Sequence, residues 1–482
     1  MRHFITIILE KILKKFNFLF ILLLILNSCS NDLPVDTQGE LTTENFFNSP
    51  EDIETATLGV YSPLADRIFT NTEAYAHLWA ADDRTAVSGS NKSFFLEYDQ
   101  LEPLSTNQWE SRTWTILWQI VGAANNFLDN EEKMRGFVEG DTEEQLKRSL
   151  GEVHYLRALA YYELVRGWGE IPLITSQIGV TGQEPLSSFE DIYNVIIMDL
   201  IFAKNNLEAQ PVNGIYRATS WMAQSLLANV YLTTAGFPLK KTENYALAAA
   251  EAKNIIDNGP YSLEEEYEDL FGNAANNISA EGNTEAIISF PANASLDGWD
   301  AGNYQAEAIS FGDKTVEFAF YDNYPDGKRK NFTFDDGGDA SRPIYSIAKF
   351  GDYFLFPQNL DIIYMRYAEL LLIYAEAQIR ATGNNADELA LDALNRVRVR
   401  AGLSEVNSAS WEDVVWEKAW ETAGEFSRWH DIVRTETLDE VNARRDPRDN
   451  ELTPLGNGLT EQNPWALIPA DDQSANPNLR KN

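Results

Sequence analysis

YMRYAELLLIYAEAQIRATGNNADELALDALNRVRVRAGL, from Tyr364 to Leu403, is the stretch whose reading decides the fold. Leu370, Leu371, Ile373, Tyr374, Ala377 and Ile379 recur at the spacing of one helix face. Gly383-Asn384 stops that helix, because both residues tolerate left-handed backbone. Asn385 is the expected N-cap of a second helix, with Glu388 in the place of a capping-box acid. Leu389, Ala393, Leu394 and Val397 mark its apolar face, and Gly402 ends it. Ala375 and Ala377 on the first helix, with Ala390 and Ala393 on the second, carry little side chain, so the two helices can approach closely. The stretch reads as a helix hairpin with a very short connection.

Weak self-similarity extends the pattern. RALAYYELVRGWG from Arg157, SLLANVYLTTAG from Ser225 and LLIYAEAQIRATG from Leu371 each set alanine against leucine or an aromatic, then stop at glycine. Repeated helix pairs stacked into a superhelix, of tetratricopeptide type, have this pattern. Taken alone, the 364–403 pattern also fits one hairpin in any all-α protein. Further helices are predicted after the cap Ser49-Pro50 with Asp52, over Asn107–Asn130, and from a Thr142/Gln145 capping box to about Arg166. Ser187 with Glu190 opens another, and Arg217–Ala235 with Tyr245–Asp257 forms the next pair. Two regions break the helical rule, Asn71–Thr106 and Gly272–Gln358. The second is rich in glycine, asparagine, aspartate and aromatics, with Ala286–Phe290 and Ile344–Phe350 as short strands. The expected fold is all-α: a tetratricopeptide-like helix-pair superhelix with loop-rich insertions carrying a few short strands.

Arg366-Tyr367-Ala368-Glu369, Tyr374-Ala375-Glu376-Ala377, Leu394-Asn395-Arg396-Val397-Arg398 and Arg400-Ala401-Gly402 resemble the C-terminal signature of the SusD/RagB family. These are surface lipoproteins of Bacteroidetes that capture nutrients. FFNSPEDIETATLGVY from Phe46, GEVHYLRALAYYELVRGWGEIPLIT from Gly151, GEFSRWHDIVRT from Gly424, and the closing Leu467-Ile468-Pro469 and Ala475 to Leu479 are similar to other family segments. Glu417-Lys418-Ala419-Trp420-Glu421 departs from the more basic, arginine-led run that family members often carry there. The likeness is poorest in the two irregular regions. It implies a non-catalytic binder that delivers its ligand, as a hinged lid, to a SusC-like TonB-dependent outer-membrane transporter. It also implies a ligand site built from loops over the helices, with residues that vary with the ligand. RagB-like peptide binding is the alternative.

Composition agrees with a globular chain of 482 residues, 44% hydrophobic and 12% aromatic. A net charge of −36 argues against nucleic acid or an anionic membrane face as a partner. Residues 1–28 read as a lipoprotein signal peptide. Arg2, Lys11, Lys14 and Lys15 form its basic end, and the apolar run Phe16 to Leu26 is too short to span a bilayer. Leu26-Asn27-Ser28-Cys29 resembles a lipobox, which makes Cys29 the lipid-bearing first residue of an outer-membrane, cell-surface protein. An ordinary signal peptide with an incidental cysteine is the alternative. Cys29 is the single cysteine, which excludes an intramolecular disulfide and a thiolate metal site. Residues 29–42 read as a flexible tether, and 43–482 as one domain with a loop-rich insertion at about 272–358.

Catalysis finds little support. His77, His154 and His430 lack ligand spacing, and no HExxH, GxSxG, P-loop or GxGxxG motif occurs. Carboxylates are abundant, so an α-helical glycoside hydrolase stays as the enzyme alternative. Asp322 to Gly327 opens like a calcium loop, but Tyr324 takes the third position and no glutamate stands at the twelfth. It reads as a turn, and no metal or cofactor is expected. Sugar rings stack their C–H faces on tryptophan and tyrosine, and their hydroxyls bond to Asp, Asn and Arg. Loops on a rigid scaffold suit that task. The candidate ligand residues are Trp79, Asp83, Arg84, Asn91 and Phe94 in the first irregular region. In the second they are Trp299, Asp300, Asn303, Tyr304, Tyr321 and Tyr324. Gly298 and Gly302 flank Trp299, so the backbone can turn it outward. The expected ligand is a neutral oligosaccharide, with Lys328-Arg329-Lys330 as the patch that would favour a polyanion.

Cys29→Ala is expected to release the protein from membranes, because a tether without acyl chains has no membrane affinity. Fractionation of cells lacking the transporter checks this. A variant that still pellets with membranes contradicts the lipoprotein reading.

Overall fold

The longer helices come in sequence as α1 (Pro50–Pro63), α2 (Gln108–Asp129), α3 (Asp141–Trp168), α4 (Phe189–Asn206), α5 (Ser220–Ala235) and α6 (Asn244–Asn258). After the insertion follow α7 (Tyr367–Thr382), α8 (Glu388–Arg400), α9 (Trp411–Glu421) and α10 (Arg428–Thr435). The coordinates are a computed structural model that describes residues 46–64, 75–86, 93–271, 283–290, 314–335, 345–350 and 362–480. Residues 1–28, expected as a signal peptide, the expected tether 29–42 with Cys29, and much of the 272–358 insertion lie outside the described residues.

Each helix packs on its neighbour in sequence. α1 lies on α2 and α3, and α2 on α3. Then α3 meets α4, α4 meets α5, α5 meets α6, α6 meets α7, and α7 meets both α8 and α9. The contact of α6 with α7 closes over the whole insertion. This serial stacking of pairs is the expected superhelical scaffold. At 28 residues, α3 is the longest helix among the described residues and runs about 42 Å. Its second half is buried all round, with Ala158 and Ala160 fully enclosed. Gly151 lets α3 approach the end of α4, since a Cβ there would meet the Leu207 side chain at 2.9 Å.

The hairpin that decided the reading forms as α7 and α8. Gly383 takes a left-handed φ of 66° and ends α7. Ala375, Ala377, Ala390 and Ala393 are buried, as close packing requires. Two details differ from the expectation. Asp387, not Asn385, caps α8, accepting from the backbone N–H groups of Leu389 and Ala390 at 3.2 and 3.1 Å. A charged carboxylate is the stronger partner for two orphan donors. Leu389 is therefore on the first, outward turn and is 55% exposed, while Ala390, Leu391, Leu394 and Val397 face the core.

Other caps shift by a residue or two. Ser49 and Asp52 make the expected box, with the Ser49 N–H donating to Asp52 at 2.8 Å. α3 starts at Asp141 behind Gly140; the Thr142 hydroxyl bonds back to Glu139, and Gln145 donates to the Pro50 carbonyl at 3.4 Å. Ser188, not Ser187, caps α4 by accepting from the Asp191 N–H. Thr219 caps α5.

Two small sheets interrupt the helices. β2 (Ala286–Phe290) pairs antiparallel with β6 (Ile362–Arg366), in register Ala286 to Arg366 and Phe290 to Ile362. β6 runs straight into α7, so Arg366 ends the strand and begins the helix. The second sheet has order β1 (Thr85–Ala86), β3 (Lys314–Thr315), β5 (Ser346–Ile347), β4 (Phe334–Asp335). The strand expected over Ile344–Phe350 is thus only two residues long among the described residues.

An ionic cluster joins insertion to scaffold. Arg366, with no exposed surface, bonds Glu285 at 2.9 Å, Glu421 at 2.5 Å and Glu425 at 2.8 Å. Arg400 adds bonds to Glu285 at 2.8 Å and to Glu421. Arg329 reaches Glu417 at 2.8 Å and Glu421 at 2.7 Å, and Lys349 reaches Glu425 at 2.5 Å. Burial alone would raise the Glu421 carboxyl, but Arg400, Arg366 and Arg329 around it hold it well below the usual range. Burial pulls Lys349 down to about 8, against the opposing pull of Glu425.

Ala375→Trp is expected to cost about 1–3 kcal/mol or more, because a fully enclosed methyl position between packed helices has no room for an indole. A thermal midpoint equal to wild type would mean that α7 is not packed in this way.

Candidate functional site

The two irregular regions meet. β1 from the first pairs with β3 from the second, Thr85 opposite Thr315, and the Thr315 hydroxyl donates to the Thr85 carbonyl at 2.9 Å. Two-residue strands are weak by themselves, so side chains hold them. The Asp99 carboxylate accepts from the Ala86 N–H and the Thr85 hydroxyl, both at 2.8 Å. Asp82 grips Arg428 at 2.6 and 2.8 Å. Asp83 accepts from the Gly424 N–H at 2.8 Å, and Arg84 donates to the Gly424 carbonyl at 2.7 Å and to that of Glu425. Residues 82–84 are thereby bolted to the turn before α10 and to its first residue, Arg428. Gly424 itself has φ of 75° and no room for a Cβ, which would stand 2.6 Å from Ile347.

The structure corrects four of the sequence candidates, Trp79, Asp83, Arg84 and Tyr324, all of which are buried. Trp79 was expected as an exposed loop ring, but it is 1% exposed and stacks on Phe95 at 3.9 Å. Its faces are spent on core packing. Asp83 and Arg84 are buried, and Asp83 Oδ2 and Arg84 Nη2 are engaged with backbone in holding the turn. Burial raises the Asp83 carboxyl and lowers the Arg84 guanidinium, each partly offset by the other. Tyr324 is likewise a core ring, its hydroxyl donating to the Trp420 carbonyl at 2.6 Å. Phe94 is half-buried against Phe95 and Trp109. Tyr321 is half-buried, with Tyr345 stacked on it at 3.3 Å and the Lys330 ammonium 4.4 Å from its ring. Asn91, Trp299, Asp300, Asn303 and Tyr304 lie outside the described residues.

The basic run Lys328-Arg329-Lys330 is not a patch. Arg329 belongs to the buried cluster, and Lys330 donates to the Tyr324 carbonyl at 3.0 Å and reaches Asp326 at 3.2 Å. Lys328 pairs with Glu266 at 2.5 Å. His154 is a structural histidine, 2.6 Å from Asp199, which also takes Arg157 at 2.7 Å. Among the described residues no three His, Cys, Asp or Glu side chains converge to hold a metal. No helix among them is long and apolar enough to cross a membrane.

A cleft of about 750 Å³ opens beside α9. Its floor is Trp416 and Trp420, one helical turn apart on one face, with ring centres 6.0 Å apart and planes 34° apart. Asn323, Arg398, Glu412, Asp413, Glu440 and Arg444 stand around them. The Trp-x-x-x-Trp spacing was visible in the sequence. It did not signal a site because the same spacing serves a helix face packed in a core.

The fold is thus that of a tetratricopeptide-like scaffold whose insertion builds a small sheet, and comparison with known proteins gives this class a family. The SusD family model matches residues 357–462, and the model described as starch-binding associating with outer membrane matches residues 33–232. A SusD-like protein of Bacteroides ovatus is 27% identical over 85% of this chain and 80% of its own. One from Formosa agariphila is 26% identical over 98% of this chain and 99% of its own. A SusD homologue from Bacteroides thetaiotaomicron has the same fold at a TM-score of 0.79, with 21% identity over 92% of this chain and 99% of that one. A laminarin-binding SusD-like protein follows at 0.73, with 20% identity over 89% and 98%. A structure with xylogluco-oligosaccharide also scores 0.73, with 22% identity over 89% and 98%. The chain belongs to the SusD-like family.

Asp99 is expected to make the sheet pH-sensitive. It shares a buried pocket with Glu317 and one cation, Arg445, which lies 2.5 Å from Glu317 and 3.7 Å from Asp99. Two carboxyls against one cation leave a proton to be held. Burial is the main reason that Asp99 is raised to about 7 and Glu317 well above its usual range. A carboxyl raised on folding contributes most at low pH, and that contribution is lost as pH rises through about 7. Amide exchange at Ala86, corrected for intrinsic rate, is expected to show more frequent opening at pH 8 than at pH 6. Asp99→Asn should flatten that difference. An opening free energy at Ala86 that does not change across this range contradicts the assignment.

Proposed function

We propose that the protein is a non-catalytic glycan-binding lipoprotein of the outer membrane. It captures oligosaccharide at the cell surface and delivers it to a SusC-like TonB-dependent transporter. The observation that carries this reading is its membership of the SusD-like family along nearly the whole chain, in company with a laminarin-binding relative and one solved with xylogluco-oligosaccharide. The pairing of β1 with β3 supports it, because one rigid base serves both loop-bearing regions. Anchoring through Cys29, the domain division at residues 28 and 42, and the transporter partnership belong to the proposal.

The ligand contacts are proposed for the segments that follow β1 and precede β3 in the chain. Asn91 belongs to the first, and Trp299, Asp300, Asn303 and Tyr304 to the second. Tyr321 is proposed at the edge of the sheet. A neutral glycan fits better than a polyanion, because the net charge is −36 and Lys328-Arg329-Lys330 is consumed by carboxylates and a carbonyl.

Removing a central stacking ring costs about 2 kcal/mol or more, roughly thirtyfold in affinity. Calorimetry of wild type and Trp299→Ala against laminarin-, starch-, xylan- and alginate-type oligosaccharides is expected to show that loss on one neutral glycan. Equal affinities remove Trp299 from the site, and salt-sensitive binding of alginate alone overturns the neutral-ligand reading. New reducing ends after incubation with pure protein would instead identify a hydrolase, and binding restricted to a peptide array would identify a peptide carrier.

A further inference from the structure

We propose that the Trp416–Trp420 cleft is a second carbohydrate-binding site, apart from the loop region, that takes a stretch of neutral glycan chain. The proposal rests on the glycan reading above and adds a place where the chain is held.

The size comes first. About 750 Å³ lies within the range of small-molecule sites. The floor is aromatic, and both indoles are partly exposed. Their separation of 6.0 Å is comparable to the spacing of neighbouring pyranose rings, and the 34° between their planes suits a chain that twists from one ring to the next.

The floor is also held in place before any ligand arrives. The Arg428 guanidinium lies 4.4 Å from the Trp416 ring and is itself locked to Asp82. Tyr324 packs on Trp420 at 6.4 Å and donates its hydroxyl to the Trp420 carbonyl. A platform fixed this way loses little conformational freedom on binding.

The rim supplies what hydroxyls need. Glu412, Asp413 and Glu440 accept; Arg398, Arg444 and Asn323 donate. Three carboxylates against two guanidiniums give a polyanion no attraction. Several of these groups are already oriented. Asp413 accepts from the Ser410 N–H at 2.8 Å, and Arg398 donates to Glu417 at 2.9 Å. Arg444 stands 5.1 Å from the Trp416 ring, about half exposed and paired with Glu440. Surface pairs of this kind are weak, so a sugar ring entering over Trp416 can displace it.

Two sites on one glycan chain act together only when the chain spans both. Long polysaccharide then gains avidity, and short oligosaccharide does not. The test compares wild type, Trp420→Ala and Ser408→Trp. The last fills the cleft at an exposed position without removing a packed ring. Affinity gels containing laminarin, xyloglucan, starch or xylan read the long-chain affinity. Calorimetry with the matching tetrasaccharide reads the short-chain affinity and stoichiometry.

Both variants are expected to lose about tenfold or more on the polysaccharide that wild type binds. The stoichiometry for tetrasaccharide should fall from two to one, with the remaining site unchanged in affinity. Variants that match wild type on every polysaccharide it binds, at an unchanged stoichiometry, overturn the cleft but leave the glycan reading intact. A wild type that binds none of the four polysaccharides overturns both.

Discussion

A guanidinium with no access to water holds this molecule together. Arg366 lies among Glu285, Glu421 and Glu425, and each carboxylate is shared with another cation. Taking such ions out of water costs several kcal/mol apiece, and only full pairing repays it. The cluster has four cations, Arg329, Lys349, Arg366 and Arg400, against four carboxylates, Glu285, Glu417, Glu421 and Glu425. Among these eight the charges balance, with Arg398 reaching Glu417 from the edge at 2.9 Å, so removing a member leaves an excess charge buried; loss of Glu425, for one, leaves Lys349 without a carboxylate. Glu285, Arg329 and Lys349 come from the insertion, and Arg366, Arg400 and the α9 region from the scaffold. The cluster therefore fixes where the insertion sits, and through it the sheet that joins the two irregular regions.

The same logic explains the motifs that carry the family resemblance. Arg366 is the first residue of its Arg-Tyr-Ala-Glu segment, and Glu369 in that segment meets Lys418 at 3.1 Å. Glu376 takes Arg434 through two bonds of 2.6 Å. Asn395 exchanges two bonds of 2.8 Å with the backbone of Val406, which closes the turn after α8. These residues hold α7, α8, α9 and α10 to one another. They are a frame whose side chains are spent on one another and on backbone. Spending cations in the interior has a second effect. The buried carboxylates they meet are about as numerous, so the excess of acids, 74 against 38 lysines and arginines, is left for the surface. That surface disfavours polyanions.

The sequence exposed the scaffold because helix pairs are local objects. Apolar spacing, the glycine stop at Gly383 and the alanines of α7 and α8 act over a few residues, and each was readable in order. Cap positions moved from Asn385 to Asp387 and from Ser187 to Ser188 because neighbouring polar residues compete for the same N–H groups, and only the helix phase chooses between them. The candidates at Trp79, Asp83 and Arg84 failed for a different reason. Their surroundings looked like a loop, and they do lie in irregular backbone. What they touch is Phe95 close by, and Gly424 and Glu425 more than three hundred residues away. Composition cannot distinguish an exposed loop aromatic from one packed under it.

By itself, then, the sequence determined the all-α class, the repeated helix pairs, the place of the insertion and the family resemblance, because each is written in spacing along the chain. Tertiary structure alone decided the rest. It joined β1 to β3, spent the Lys328-Arg329-Lys330 run on carboxylates and a carbonyl, and set Trp416 and Trp420 at the floor of a cleft. The physical reason is common to all three: pairing a strand, neutralising a charge or exposing a ring depends on partners distant in the chain, and a linear pattern does not record which of them arrive.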